Sequence, residues 1–261
     1  MKLLFIGDIV GRPGRQIVAR HLSGLVDRHL IDLVVANAEN AAAGFGVTAD
    51  VVDELFGLGI DVLTTGNHVW DKKEALPLLD QEARLLRPAN YPPGLPGRGW
   101  GLFHTSAGTP VAVVNLEGRV FMNNLDCPFR SADAILDELR SITPVILVDF
   151  HAETTSEKGA MGCYLDGRVS AVLGTHTHVQ TADERLLPGA TAFISDVGMS
   201  GSRDSVIGIR KELSMERFLT QLPMRFEVAK REPMLCGVVV TVDAASGRAR
   251  SIERVQIVDR E

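Results

Sequence analysis

No long basic run offsets the formal net charge of −6, which argues against a general binder of nucleic-acid backbones. A small phosphorylated substrate stays compatible with that balance, because a bound metal could supply local positive charge. Cysteine is scarce. Cys127, Cys163 and Cys236 are odd in number, widely spaced and in no C-x-x-C arrangement, so reduced thiols with packing roles are expected. Long apolar runs are missing too. The run that begins at Met1 stops at Asp8, too short for a signal core or a membrane span. A cytoplasmic protein with no membrane partner is the expectation. Neither an internal repeat nor a low-complexity segment breaks the chain.

What is present is ordinary for a globular protein: 45% hydrophobic and 23% charged residues over 261 positions, enough to bury a core. Strand patterns cover Lys2–Ile6, Leu33–Ala36 and Val62–Thr65, and helical spacing of Ile17, Val18, Leu22 and Leu25 predicts a helix over Arg15–Arg28. Thr48 is placed to cap a helix that runs to Leu58 and stops at Gly59. This β-α-β-α-β order implies parallel pairing through right-handed crossovers. Further helices are expected at Lys72–Leu79, Ala132–Leu139 and near Lys211–Leu222. Strands are expected at Gly101–Thr105, Val111–Leu116, Val145–Val148, Val169–Leu173, Thr191–Ile194, Arg225–Val228, Met234–Val242 and Arg250–Val258. The prolines and glycines between Arg87 and Gly97 read as a loop, and so do the Ala41–Gly46, Arg119–Phe129 and Thr154–Cys163 stretches that could shape substrate entry. The expectation is an α/β fold: one domain over 1–261, two sheets and outer helices.

Five apolar strands end by releasing polar groups. Asp8 follows the first, Glu39 and Asn40 the second, Asn67 and His68 the third, His151 the fourth, and His176 and His178 the fifth. Open α/β sheets place their chemistry at such carboxyl ends. His176-Thr-His178, if extended, would put both imidazoles on one face, although a pair of satisfied loop histidines is the competing reading. His21, His29 and His104 read as structural or solvated. Imidazole nitrogens with carboxylate and amide oxygens suit manganese, iron or zinc, and this many ligands would need two ions sharing one carboxylate. Arg130, Lys158 and Arg203 could each reach a phosphate, with surface charge as the simpler assignment.

These residues resemble the calcineurin-like metallophosphoesterases. Gly7-Asp8, Glu39-Asn40, Gly66-Asn67-His68, His151 and Gly174-Thr-His176-Thr-His178 follow that family's motifs in order. Longer strings, Phe5-Ile-Gly-Asp-Ile-Val-Gly, Asp149-Phe-His-Ala-Glu and Ser195-Asp-Val-Gly-Met-Ser-Gly, are similar to its small bacterial YmdB-like branch over essentially the whole chain. Three positions depart from the wider pattern. Val10 stands where a histidine is usual, Glu39 follows Ala38 in place of an aspartate after glycine, and Val69 replaces the acid after the Gly-Asn-His motif. Asn40 stands in for the missing histidine, and Asp71 is a candidate for the missing acid.

The resemblance implies a four-layer α/β/β/α sandwich of two mixed sheets with outer helices. It also implies a hydrolase of phosphodiesters, including 2′,3′-cyclic nucleotides, at a binuclear site of divalent transition metals, iron or manganese first and zinc also. Carried over, one ion would take Asp8, Glu39, Asn40 and His178, and the other Glu39, Asn67, His151 and His176. The expected chemistry is in-line attack by metal-activated hydroxide, with His68 protonating the leaving oxygen as general acid. A small phosphodiester or cyclic nucleotide is the expected partner, and a second copy of the chain could cover one side. Two other readings stand beside it. One is a metal- or nucleotide-binding regulatory protein with slow hydrolysis. The other is an amidohydrolase, which would carry its H-x-H near the N-terminus, whereas here it comes late.

Overall fold

Leu3 and Phe5 lie on one face of the first strand and Leu4 and Ile6 on the other, and all four are fully buried. A strand apolar on both faces belongs between two covering layers. In the computed structural model, which describes residues 1–259, it is the centre of one of two stacked sheets.

β1 (Lys2–Ile6) passes through a short β2 (Asp8–Ile9) into α1 (Gly11–His29), followed by β3 (Leu33–Asn37), α2 (Ala49–Gly57), β4 (Val62–Thr64) and α3 (Ala75–Gln81). The middle comprises β5 (Trp100–His104), β6 (Pro110–Glu117), α4 (Pro128–Leu139), β7 (Ile146–His151), α5 (Thr155–Leu165) and β8 (Ala171–Thr175). The tail adds β9 (Arg185–Leu186), β10 (Ala192–Ile194), β11 (Met199–Ser202), α6 (Lys211–Thr220), β12 (Pro233–Val242) and β13 (Ala249–Val258).

The first sheet runs β2-β11-β12-β1-β3-β4, with β13 also paired to β12, and the second runs β5-β6-β7-β8-β10-β9. β1, β3 and β4 are parallel, as are β6, β7, β8 and β10, while β12, β13, β5 and β9 add antiparallel pairs. Both sheets are therefore mixed. Leu3, Phe5, Leu33, Val35, Val238 and Val240 of one meet Val111, Val113, Leu147 and Leu173 of the other. The outer face of the first packs on Ile17, Val18, Val52 and Leu55 of α1 and α2, and that of the second on Leu136, Met161 and Leu165 of α4 and α5. The result is the expected four-layer α/β/β/α sandwich. Among the described residues no helix is long and apolar enough to cross a membrane.

Several expectations need correction. α1 begins at Gly11, four residues before the predicted start, because Pro13 lies in the first turn, where no N–H is needed. Gly14 lets that turn approach Ser200, whose carbonyl a Cβ would strike. The third helix spans Ala75–Gln81 rather than Lys72–Leu79. The stretch from Thr154 to Cys163 is no loop. Thr154 Oγ1 accepts the Glu157 N–H and caps α5, and Gly162, a poor helix former by itself, gives room for the Phe193 ring. Arg225–Val228 is not a strand; its ladder pairing is limited to one isolated bridge, Val228 to Ile209. Lys2–Ile6 is a strand as expected, the other expected strands and helices shift by up to four residues at their ends, and β2, β9 and β11 come in addition. Cys127, Cys163 and Cys236 are free thiols, and only Cys236 is buried.

Candidate metal centre

Parallel pairing aligns the carboxyl ends of β1, β3 and β4 in one sheet and of β7 and β8 in the other, and the polar groups predicted from the sequence meet where the two sets of strand ends face each other. Asp8, Glu39, Asn40 and His151 are buried, while His68, His176 and His178 are partly exposed. The short parallel pair Met199–Asp8 and Ser200–Ile9 clamps the Asp8 backbone.

His151 Nε2 is the hub of one half. It lies 3.0 Å from Glu39 Oε1, 3.1 Å from Asn67 Oδ1 and 3.0 Å from His176 Nδ1. In the other half, His178 Nε2 lies 3.1 Å from Asn40 Oδ1 and 3.9 Å from Asp8 Oδ1. Glu39 Oε2 also accepts the His68 backbone N–H at 3.3 Å. Gly66 is required here, because a Cβ would collide with both Glu39 and His151.

The outer nitrogen of each site histidine has an acceptor. His151 Nδ1–H donates to Thr175 Oγ1 at 2.9 Å, and Thr175 donates to Asp149 at 2.7 Å. His178 Nδ1–H donates to the Ile207 carbonyl at 2.8 Å, His176 Nε2–H meets Glu153 at 3.1 Å, and His68 Nδ1–H donates to Asp71 at 2.9 Å. In the tautomers that put those hydrogens outward, the inner nitrogens of His151, His176 and His178 present lone pairs to the amide and carboxylate oxygens. One imidazole N–H could not satisfy so many convergent acceptors. Asp8 Oδ1 is buried without a hydrogen-bond partner. A buried set of lone pairs with an orphaned carboxylate oxygen is what a divalent cation satisfies, so the residues fit bound divalent metal. Glu39, His151 and His176 alone bring one ligand atom each within 4.8 Å of one another.

Burial and mutual attraction set the charges of the same groups, and Glu39 and His151 shift each other in opposite directions. Burial pushes the Asp8 carboxyl up, opposed by His178 and His151. Burial acts the same way on Glu39, but His151, His68 and His176 together outweigh it and bring the carboxyl to about 2. Burial lowers His176, and His151 adds to the effect, to about 3. His151 is opposed by burial yet raised by Glu39 to about 9.

His176 and His178 are not extended. Their φ angles are 95° and 65°, so the expected alternation gives way to two left-handed turns that aim both rings inward. Thr177 between them donates N–H and O–H to Asp196 Oδ2, at 3.0 and 2.6 Å. Lys158, read from the sequence as a surface charge or phosphate ligand, is 1% exposed and paired to the same oxygen at 2.7 Å. It braces the His-Thr-His turn from beneath. Arg130 and Arg203 are exposed, with Arg203 beside Glu232. His21 pairs with Asp259, and His104 is exposed.

Sequence reading missed several supports. Asn37, Thr64 and Thr175 all hydrogen-bond the buried Asp149, which burial raises to about 6. Asp149 was legible as part of a motif string, but its partners lie on three different strands. Glu117 pairs with His151 across β6 and β7, and burial lifts its carboxyl to about 7. Phe45 stacks edge-on to His68 at 4.9 Å. Nothing in the sequence spacing announces either.

The model of the YmdB-like protein family matches residues 4–255. The 2′,3′-cyclic-nucleotide 2′-phosphodiesterase of Bacillus subtilis is 48% identical over 99% of this chain and 98% of its own. A Thermus thermophilus protein of solved structure is 42% identical, with a TM-score of 0.94 and full coverage of both chains. A phosphatase from Mycoplasma pneumoniae, also solved, is 34% identical with a TM-score of 0.92, over 99% of this chain and 93% of that one.

Proposed function

The chain belongs to the YmdB-like family, and from that premise we propose that it is a metal-dependent phosphodiesterase that opens 2′,3′-cyclic nucleotides to 3′-nucleotides. The observation that carries the proposal is the convergence of Asp8, Glu39, Asn40, Asn67, His151, His176 and His178 at one end of the two stacked sheets, with the outer nitrogens of His151 and His178 each facing an oxygen. We read residues 1–261 as one domain, of which 260 and 261 lie outside the described structure.

In this reading Asp8, Glu39, Asn40 and His178 hold one divalent ion, and Glu39, Asn67, His151 and His176 hold the other. Mixed nitrogen and oxygen donors suit iron or manganese, with zinc as a third option. Bound there, the ions supply Lewis acidity toward the phosphoryl oxygens and acidify a water nucleophile. Two divalent charges outweigh the two carboxylates, which suits a phosphodiester monoanion. Glu39 links the two halves of the cluster. Thr175 and Ile207 fix which nitrogens of His151 and His178 face the site. Asp71 accepts from His68 Nδ1 and so turns Nε2 toward the site. His68 Nε2 then delivers a proton to the leaving 2′-oxygen as the P–O2′ bond breaks. Proton delivery of this kind is typically worth ~10²–10⁴ in rate.

The test is hydrolysis of 2′,3′-cyclic AMP by metal-reconstituted protein, with the product position read by chromatography. Release of 3′-AMP, abolished by chelation, is expected. Release of 2′-AMP, or no turnover with two metals bound, would refute the reading.

A further inference from the structure

The cavity over the metal-ligand cluster has two chemically distinct sides. Its volume is about 360 Å³, at the small end of the roughly 300–1,000 Å³ typical of small-molecule sites. Glu153 and Thr177 join the cluster residues Glu39, Asn40, His68, His176 and His178 in its polar lining, and the apolar lining is Val10, Phe45, Ile207, Ile209 and Phe226. A phosphoester alone has no use for an apolar wall.

Four segments make that wall: Val10, the Gly44–Phe45 turn, the loop from Ile207 to Ile209, and Phe226. The Arg210 N–H donates to the Glu227 carbonyl and the Ala229 N–H to the Gly208 carbonyl, both at 2.9 Å, so the loop 207–210 is tied to 227–229. Gly44, at φ +100°, carries its turn against them. A Cβ there would lie 2.9 Å from Val228 Cγ2. Phe45 and Phe226 are the two aromatic side chains on this wall. Val10, where the wider metallophosphoesterase pattern has a histidine, is apolar and packs close to Gly208. Ile207 contributes twice: its side chain is half exposed at the cavity, and its carbonyl orients His178. It does so at φ +48°, a conformation a β-branched residue adopts only under constraint.

We propose that this wall is the nucleobase platform of the site, with Phe226 and Phe45 stacking on the base of a nucleotide whose phosphate lies at the metal-ligand cluster. The proposal rests on the reading of that cluster as a phosphoester site. The wall carries no hydrogen-bonding side chain, so recognition is by π-face and apolar contact and accepts all four bases, purines more tightly than pyrimidines. Stacking of this kind is sequence-tolerant because every base has a π-face.

The test is equilibrium binding, independent of turnover. Calorimetry on the manganese-loaded protein compares 3′-AMP with the abasic methyl riboside 3-phosphate, in the wild type and in Phe226→Ala and Phe226→Tyr. The wild type should bind 3′-AMP at least tenfold more tightly than the abasic ligand. Phe226→Ala should lose about tenfold for 3′-AMP and less than twofold for the abasic ligand, and Phe226→Tyr should recover the wild-type preference. Equal binding of the two ligands by the wild type would overturn the platform, even if cyclic nucleotides are hydrolysed. Equal weakening of both ligands in Phe226→Ala would also overturn it, by assigning Phe226 to packing of the cavity lip. If cyclic nucleotides are not opened but the base preference and its loss are seen, the platform stands and the proposed reaction fails.

Discussion

Asp71 Oδ2 accepts a hydrogen bond from His68 Nδ1 at 2.9 Å, one turn further along the chain. The acid that the wider metallophosphoesterase pattern places directly after its Gly-Asn-His motif is here Val69, which is fully buried and packed in the core. The turn after Asn67 brings Asp71 back to the ring, and the Phe45 edge steadies the ring further.

That contact makes a graded prediction. His68→Ala should retain two metals and lose ~10²–10⁴ in turnover. Asp71→Asn should retain both metals and lose roughly 10–100-fold, in line with the cost of removing a histidine's orienting partner. Metal content by elemental analysis beside kcat checks both. Turnover near the wild-type level in His68→Ala would remove it as the proton donor.

Glu39 Oε1 lies 3.0 Å from His151 Nε2 while Oε2 accepts the His68 backbone N–H, and in the proposed site this carboxylate is the ligand both ions share. Glu39→Gln keeps the shape and removes the charge, so both ions should be weakened together. Equilibrium dialysis should give well below two metals per chain. Two tightly held metals would take Glu39 out of the shared position.

The Lys158–Asp196 pair is a stability element under the His176–His178 turn. Lys158→Met would leave the Asp196 carboxylate buried without its counter-ion. Breaking such a pair from one side typically costs about 3–5 kcal/mol. Urea denaturation of the metal-loaded protein measures it, and a loss below 1 kcal/mol would contradict the pairing.

Glu117 predicts a pH dependence. Burial, its first cause, lifts the folded-state carboxyl from 4.5 to about 7. The folded state thus holds the proton more tightly than the unfolded chain. The stabilising contribution is complete below about pH 4.5 and is lost as pH rises through 7. A shift of this size corresponds to about 3 kcal/mol at full loss. Glu117→Gln should therefore flatten the fall in denaturation free energy between pH 5 and pH 8. An unchanged slope would place the Glu117 carboxyl in contact with solvent.

The site ligands were legible because each follows an apolar strand directly, and parallel pairing sends such strand ends to one end of each sheet. Their supports were not. Asp149 draws its hydrogen bonds from Asn37, Thr64 and Thr175, on β3, β4 and β8, and no spacing along the chain encodes that meeting. α5 escaped notice because Gly159 and Gly162 weaken its helical signal, and packing against Phe193 overrides the propensity.

The sequence by itself determined the two apolar-faced sheets, the order of strand and helix, and the identity of the polar groups at five strand ends. Periodicity and local chemistry suffice for these, because each depends on neighbours a few positions away. Tertiary structure alone decided which nitrogen of each histidine faces the cluster, since the partners that fix it, Thr175, Ile207 and Glu153 among them, come from other elements. It alone decided that Lys158 is a buried brace rather than a surface charge. It alone assembled the apolar wall, because Val10, Phe45, Ile207 and Phe226 become neighbours only once the chain has closed on itself.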